Sequence, residues 1–207
     1  GRRGHVETIK SNDVIVASGL HALSPPLLLQ RYGLRVYLDM DEDLRRALKV
    51  QRDVRERGHD EQSVLASIDQ RAQDAALFIR PQAERADIVF SVVPVPGRTG
   101  PLDDGSGLNL VTRSRQGFDW MSIHRVLAGV VGLSVDVSLR QGAAFPVVLA
   151  VEGGASRHDI AWAARRTCPR MFDFLDDDPE WRDGTLGLMQ LMTLAHIDHA
   201  LTRRSFD

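Results

Sequence analysis

A single cysteine, Cys168, stands in 207 residues. One thiol excludes an intrachain disulfide and any zinc site built on paired cysteines, and it fits a reducing compartment. No apolar run is long enough to cross a bilayer, and no signal peptide is apparent; the expected location is the cytoplasm. An excess of basic charge is also missing. Lysine and arginine number 26 against 28 aspartates and glutamates, for a formal charge of -2, so no global field argues for a nucleic-acid partner. Internal repeats and low-complexity tracts are absent. The chain lacks a starting methionine, and Gly1 to Lys10 is polar and basic, so it is expected to begin within a longer protein. Its length suits one large domain or two small ones.

Against this near-neutral background one stretch concentrates positive charge. Arg45 to Gly58 reads RRALKVQRDVRERG and is followed by His59, Asp60 and Glu61. Residues three and four apart share a helix face, so Lys49, Arg52 and Arg55 form a strip, and Lys49, Arg52 and Arg57 can approach one side of the helix and its frayed end. A glycine such as Gly58 is a common helix stop, because it accepts the left-handed conformation without a β-carbon penalty. Guanidiniums ranked in this way suit phosphate oxygens. The simpler reading is a solvated helix face, with Asp41, Glu42, Asp43, Asp53 and Glu56 pairing the bases.

The elements around this stretch alternate. Asp13 to Ala17 is β-branched and apolar and reads as a buried parallel strand. Leu23 to Tyr32 reads as a helix entered through Ser24-Pro25-Pro26. Leu34 to Asp39 predicts a strand, with Asp41 as cap of the basic helix. Glu61 to Ala86 is helical in pattern and broken before Pro81, and Asp87 to Val93 is a further strand. This alternation belongs to an α/β layered sheet.

Pro94 to Gly107 reads as a linker or long loop, dividing residues 1–93 from 108–207. Beyond it the order becomes strand (Leu108 to Arg113), helix (Trp120 to Val131, capped by Asp119), a hairpin (Leu133 to Leu139 and Pro146 to Glu152, around Gly142) and helix (from Ser156 to Arg166). That order predicts a smaller α+β domain with a split βαβ, ferredoxin-like layer. A closing helix is expected from Pro179 to Arg203, capped by Asp178, with Leu186, Met189, Leu191, Leu194 and Ile197 on its apolar face.

Three groups in this half resemble sites. His196 and His199 have the spacing of a helical metal pair, without a third ligand. Asp173, Asp176, Asp177 and Asp178 are explained as charges at a helix N-terminus. Asp119, Ser122 and His124 lack a nucleophile elbow and read as a cap with surface groups. Met189 and Met192 read as core or interface.

Three pieces, taken together, resemble the uridine kinase and phosphoribulokinase family of P-loop kinases: DVIVASGLHAL (Asp13–Leu23), LRVYLDMDEDLRRALKVQRDVRERG (Leu34–Gly58) and FIRPQAERADIVF (Phe78–Phe90). They come in the family's order and cover about the first 92 residues. The resemblance implies a partial P-loop-kinase-like parallel sheet with helices. It implies ATP and Mg2+ as cofactors and phosphoryl transfer to a small hydroxylated acceptor. It also implies a lid whose arginines, in the RD and ERG elements, close over the nucleotide phosphates. Those roles would fall to Arg52 and Arg57 as catalytic groups, with Lys49 beside them at the nucleotide; His59, next to them, reads either as a further phosphate contact when protonated or as an exposed loop histidine.

The departures from the family are as informative. The phosphate-cradling G-x-x-x-x-G-K-[ST] pattern is nowhere in the chain; Gly97 to Gly100 and Gly153 to Ser156 are glycine-rich but lack the lysine and the spacing, and both read as loops. The family's strand before Gly19 usually ends in glutamate, where Ser18 stands here. A further arginine often follows the ERG element, where His59 stands. The expectation is therefore that the kinase activity belongs to an intact parent. The rival is a non-catalytic binding, regulatory or oligomerisation module that keeps the lid. A homodimer is also expected, through the second domain or an uncovered sheet edge.

Overall fold

The computed structural model describes residues 14–95, 107–115, 119–175 and 177–204. Its centre is a five-stranded sheet in the order β1-β2-β3-β5-β4, with β1 at Val36–Met40, β2 at Ile88–Pro94, β3 at Leu108–Ser114, β4 at Ser134–Leu139 and β5 at Val147–Glu152. β1 and β2 run parallel, Val36 opposite Ile88. A parallel pair needs a long crossover, which here is helical: α2 (Glu42–Gln51) and α3 (Glu61–Asp74), each extended by further helical turns.

β2 and β3 pair antiparallel from Ile88–Ser114 to Pro94–Leu108. The expected boundary near residues 94–107 therefore lies inside one continuous sheet; residues 96–106, including Gly97 to Gly100, are outside the described residues. One core also runs through both parts, from Leu44, Ile88 and Phe90 to Leu149, Ile160 and Leu191. The split βαβ layer is present. β3 and β4 are both antiparallel to β5, which lies between them, so β3 and β4 are parallel and joined through α4 (Trp120–Val126). Gly142 turns the β4–β5 hairpin at φ +73°, a conformation that favours glycine.

Alternation along the strands sorts the sheet faces. Ile88, Phe90, Leu110, Thr112, Ser114, Leu149 and Val151 share the face packed by α5 (Arg157–Thr167) and α6 (Gly184–Arg204). On the other face Val89 meets Leu23 and Ala86, with Tyr32 and Tyr37 around them. Gln82 ties this smaller cluster to the N-terminal segment: its carbonyl accepts from the Leu23 amide and its NH2 donates to the Leu20 and Phe78 carbonyls.

Several expectations are corrected. Val14 to Ala17 forms no strand, and Val14, Ile15 and Val16 are 75%, 64% and 85% exposed. Apolar β-branched residues make a strand only beside a neighbour that completes the ladder, and among the described residues β1 has β2 as its sole neighbour. The helix expected from Leu23 to Tyr32 shrinks to one turn, α1 (Pro26–Leu29). The closing helix begins at Gly184, not Pro179. Gly184 sits at φ +65° and its amide donates to the Ala155 carbonyl, while Arg182 N–H is taken by the Gln190 side chain. The late start also changes the helix's inner face: Leu188, Leu191, Met192 and Ala195 are buried and Leu186 is 60% exposed. Asp178 pairs with Arg165 rather than capping the helix; Asp176 of the same cluster lies outside the described residues.

Candidate functional site

α2 is fixed at its start by Asp41, whose carboxylate accepts from the Leu44 amide at 3.0 Å, replacing one of the orphan donors of the first turn. Leu44 then enters the core, and Leu48 packs against it. At its far end the helix widens into a π-type turn over Arg52–Glu56, an irregularity often found at functional positions. Gly58, at φ +69°, reverses the chain, and Asp60 caps α3 by accepting from Ser63 N–H at 2.9 Å.

Asp53 organises this corner. It is 7% exposed, and its Oδ1 accepts from Arg52 Nε at 2.9 Å and from Arg57 Nη1 at 3.2 Å. Its backbone carbonyl accepts from His59 N–H at 3.0 Å. The hydrogen bond from Arg52, then the charges of Arg52, Arg57 and Lys49, hold the Asp53 carboxyl below the usual carboxylate range, against the opposing effect of desolvation. The two guanidiniums remain about half exposed, at 47% and 55%. Each has five N–H donors, so one shared carboxylate oxygen leaves outward donors able to grip an anion.

The structure thus brings together Arg52 and Arg57, with Lys49 near enough to act on Asp53. His59 joins them through its backbone, with its side chain exposed. Part of the strip is neutralised as the simpler reading anticipates: Glu42 pairs with Arg45 and Arg80, and Arg46 reaches Asp69 on α3 at 2.6 Å. Asp53 was legible only as one more pairing acid; its place next to Arg52 and four residues before Arg57 is the signal that marks it as their common anchor.

The remaining candidates resolve into structure. His196 is buried and bonded to Ser114 Oγ and the Met192 carbonyl, each at 2.8 Å, and Asp198 accepts from the Met171 amide. Asp119 accepts from Ser122 N–H and Oγ–H as a cap. Met192 is core. Among the described residues no group of three His, Cys, Asp or Glu side chains gathers as a metal site, and no helix is long and apolar enough to cross a membrane.

Residues 2–97 match the Phosphoribulokinase / Uridine kinase family. The phosphoribulokinase of Synechocystis sp. is 40% identical over 88 residues, covering 42% of this chain and 26% of that protein. The chloroplastic phosphoribulokinase of Spinacia oleracea is 36% identical over 88 residues, covering 42% and 22%. The uridine kinase of Ligilactobacillus salivarius is 32% identical over 89 residues, covering 42% of each. A solved phosphoribulokinase from Rhodobacter spheroides superposes with a TM-score of 0.47 at 18% identity, covering 71% of this chain and 50% of that one. The matched stretch is thus about a quarter of the phosphoribulokinases from Synechocystis and spinach. The match to the Phosphoribulokinase / Uridine kinase family, over residues 2–97, takes in Lys49 and the Arg52–Asp53–Arg57 cluster.

Proposed function

We propose that this chain supplies the phosphate-gripping lid of an ATP-dependent kinase that phosphorylates a small hydroxylated metabolite. The observation that carries the reading is the meeting of Arg52 and Arg57 on the buried Asp53, at a π-type turn closed by Gly58. Asp53 presets the two guanidiniums, so less conformational freedom is lost when they close on phosphate. Their charge, with that of Lys49, would offset negative charge on the transferring phosphoryl, which is where proteins do most of the work in this reaction. His59 lies at the edge of the same anion site. ATP fits this corner by charge. Mg2+ would be held chiefly by the nucleotide phosphates and water, its usual ligands, since the described residues gather no carboxylate cluster. The reading places the protein in the cytoplasm, in the company of a nucleotide and its acceptor.

Arg52→Ala in the intact kinase tests it. Turnover is expected to fall by about a hundredfold to a thousandfold, in line with removal of one charge-stabilising group, while thermal stability changes little because the side chain is half exposed. Full turnover in the variant removes Arg52 from the site. The 207-residue chain alone is expected to bind inorganic triphosphate weakly, less so as salt rises, and to turn over no ATP, since it has no glycine-rich phosphate cradle. The rival module reading draws on Val14 to Ser18, which is exposed, outside the sheet, and ends in serine instead of a carboxylate. Magnesium-dependent turnover abolished by Arg52→Ala would rule it out.

A further inference from the structure

α4 and the π-type turn that continues it, Leu127–Val131, bury one side and leave another uncovered. Ile123 and Leu127 sit in the core. The outer side of such a helix is ordinarily polar. Here Trp120, Met121, His124, Arg125, Ala128 and Gly129 floor an open groove of about 560 Å³. Met121 is 57% exposed, Arg125 and Gly129 are exposed, and the other three are half-buried.

The spacing gives the groove its shape. Trp120, His124 and Ala128 form one row at intervals of four residues, and Met121, Arg125 and Gly129 form the row beside it. Two such rows are ridges of a helix surface, and the channel between them takes an i, i+4, i+8 ridge of a second helix at a crossing of roughly −50°. Each level of the channel has its own chemistry. Trp120 and Met121 are large and apolar, and groups of this kind anchor protein interfaces. His124 and Arg125 supply N–H donors and positive charge in the middle. Ala128 and Gly129 leave room for a bulky side chain at the far end, and a β-carbon on Gly129 would meet nothing within 4 Å.

Among the described residues no acid lines the groove, and neither His124 nor Arg125 is in an ion pair. Arg125 acts on Asp119 only at a distance, and that carboxylate is held by Ser122. The complement is therefore a ridge that reads apolar, acidic, bulky apolar. A second copy of α4 would set the same cations against each other. A bilayer surface, having no ridge, would leave the channel unfilled. A helix of a different protein satisfies both conditions.

We propose that this face of α4 is a docking surface for an acidic amphipathic helix of a partner protein, which lays its acidic ridge between the two rows. The test uses a fluorescently labelled, alanine-rich peptide of about 18 residues, long enough to hold a helix. One row of it carries Leu, Glu and Leu at i, i+4 and i+8, and a second peptide has Lys in place of that Glu. Fluorescence anisotropy on the purified protein reads the binding. The Glu peptide should bind about tenfold more tightly than the Lys peptide, and Arg125→Glu should reverse the order. Met121→Ser should weaken the Glu peptide about tenfold, as loss of an interface anchor does. Both positions are exposed, and circular dichroism checks that each variant keeps its helices. Arg52→Ala should bind the Glu peptide like the parent, which separates this face from the lid. No binding of the Glu peptide up to millimolar concentration overturns the proposal, as does equal affinity for the two peptides. So does a loss that follows Arg52→Ala while Arg125→Glu binds like the parent. Phosphatidylserine vesicles that bind through Met121 more tightly than the Glu peptide would assign the face to a membrane and overturn it as well.

Discussion

Stability should fall between pH 6.5 and pH 4 through one side chain, His196. The ring is 7% exposed and lies between β3 and α6. The Met192 carbonyl can only accept, so Nδ1 carries the proton and Nε2 accepts from Ser114 Oγ–H. A second proton would reverse that bond, Nε2–H then donating to Ser114 Oγ, and would place a charge in the core. Burial is the largest cause of the depressed pKa, pushed down to about 4 from 6.5; the nearby His199 adds to it, while the Met192 carbonyl and Asp87 act in the opposite direction. The unfolded chain therefore binds this proton at higher pH than the folded one, and folding loses free energy as pH falls through that interval. At about 1.4 kcal/mol per pH unit, the loss is about 3 kcal/mol, a large share of the roughly 5–15 kcal/mol typical of a domain. Below pH 4 this group contributes no further slope. Urea unfolding followed by tryptophan fluorescence at pH 7.5, 6, 5 and 4 would measure it against His196→Gln. The variant should be less stable at pH 7.5, through its poorer fit, but flatter with pH. Carboxylates held below their ordinary range, such as Asp119 by its Ser122 hydrogen bond, lose their contribution at still lower pH, and being common to both proteins they cancel in the difference. Parallel pH profiles for the two proteins would refute the assignment of a buried neutral imidazole.

Cys168 is fully buried and its thiol is pushed up to about 11, chiefly by burial; a thiol reagent at pH 8 should label it only on unfolding, at a rate set by opening of the α5–α6 region. Gly187 and Gly129 form a contrasting pair. A β-carbon on Gly187 would lie 2.1 Å from the Arg182 carbonyl oxygen, so Gly187→Ala should cost about 3 kcal/mol or prevent folding. Gly129 has open space at that position, and Gly129→Ala should leave the urea midpoint unchanged or raise it by up to the equivalent of ~1 kcal/mol.

Sequence patterns located elements whose partners are local and misplaced those whose partners are distant. Asp41, Asp60, Asp119 and Ser156 cap their helices through bonds to residues three positions on, and a local bond leaves a local signature. The β3–α4–β4–β5 order was legible for a similar reason, as alternation and Gly142 fix the hairpin. Val14 to Ala17 has the composition of a strand, yet composition cannot supply the neighbouring strand on which the ladder depends. The start of α6 was obscured by Pro179, a residue well suited to a first turn. What holds the preceding segment out of the helix is distant in sequence: Asp183 accepts from the Arg157 amide and Gly184 donates to the Ala155 carbonyl.

The candidate site divides in the same way. Lys49, Arg52 and Arg57 were visible as charge on one helix, but charge alone could not separate a solvated strip from a binding corner. The observation that supports the binding-corner reading is Asp53. An exposed ion pair is weak and interchangeable, and the Glu42–Arg45 pair, both side chains exposed at the surface, is of that kind. Asp53 is buried and takes both arginines on one oxygen. Removing it would leave two cations close together with their shared acceptor gone. Both guanidiniums stay about half exposed around that buried carboxylate, and that exposure is what the proposed phosphate contact draws on. That is the physical ground for placing phosphate at Arg52 and Arg57 rather than elsewhere along the basic helix.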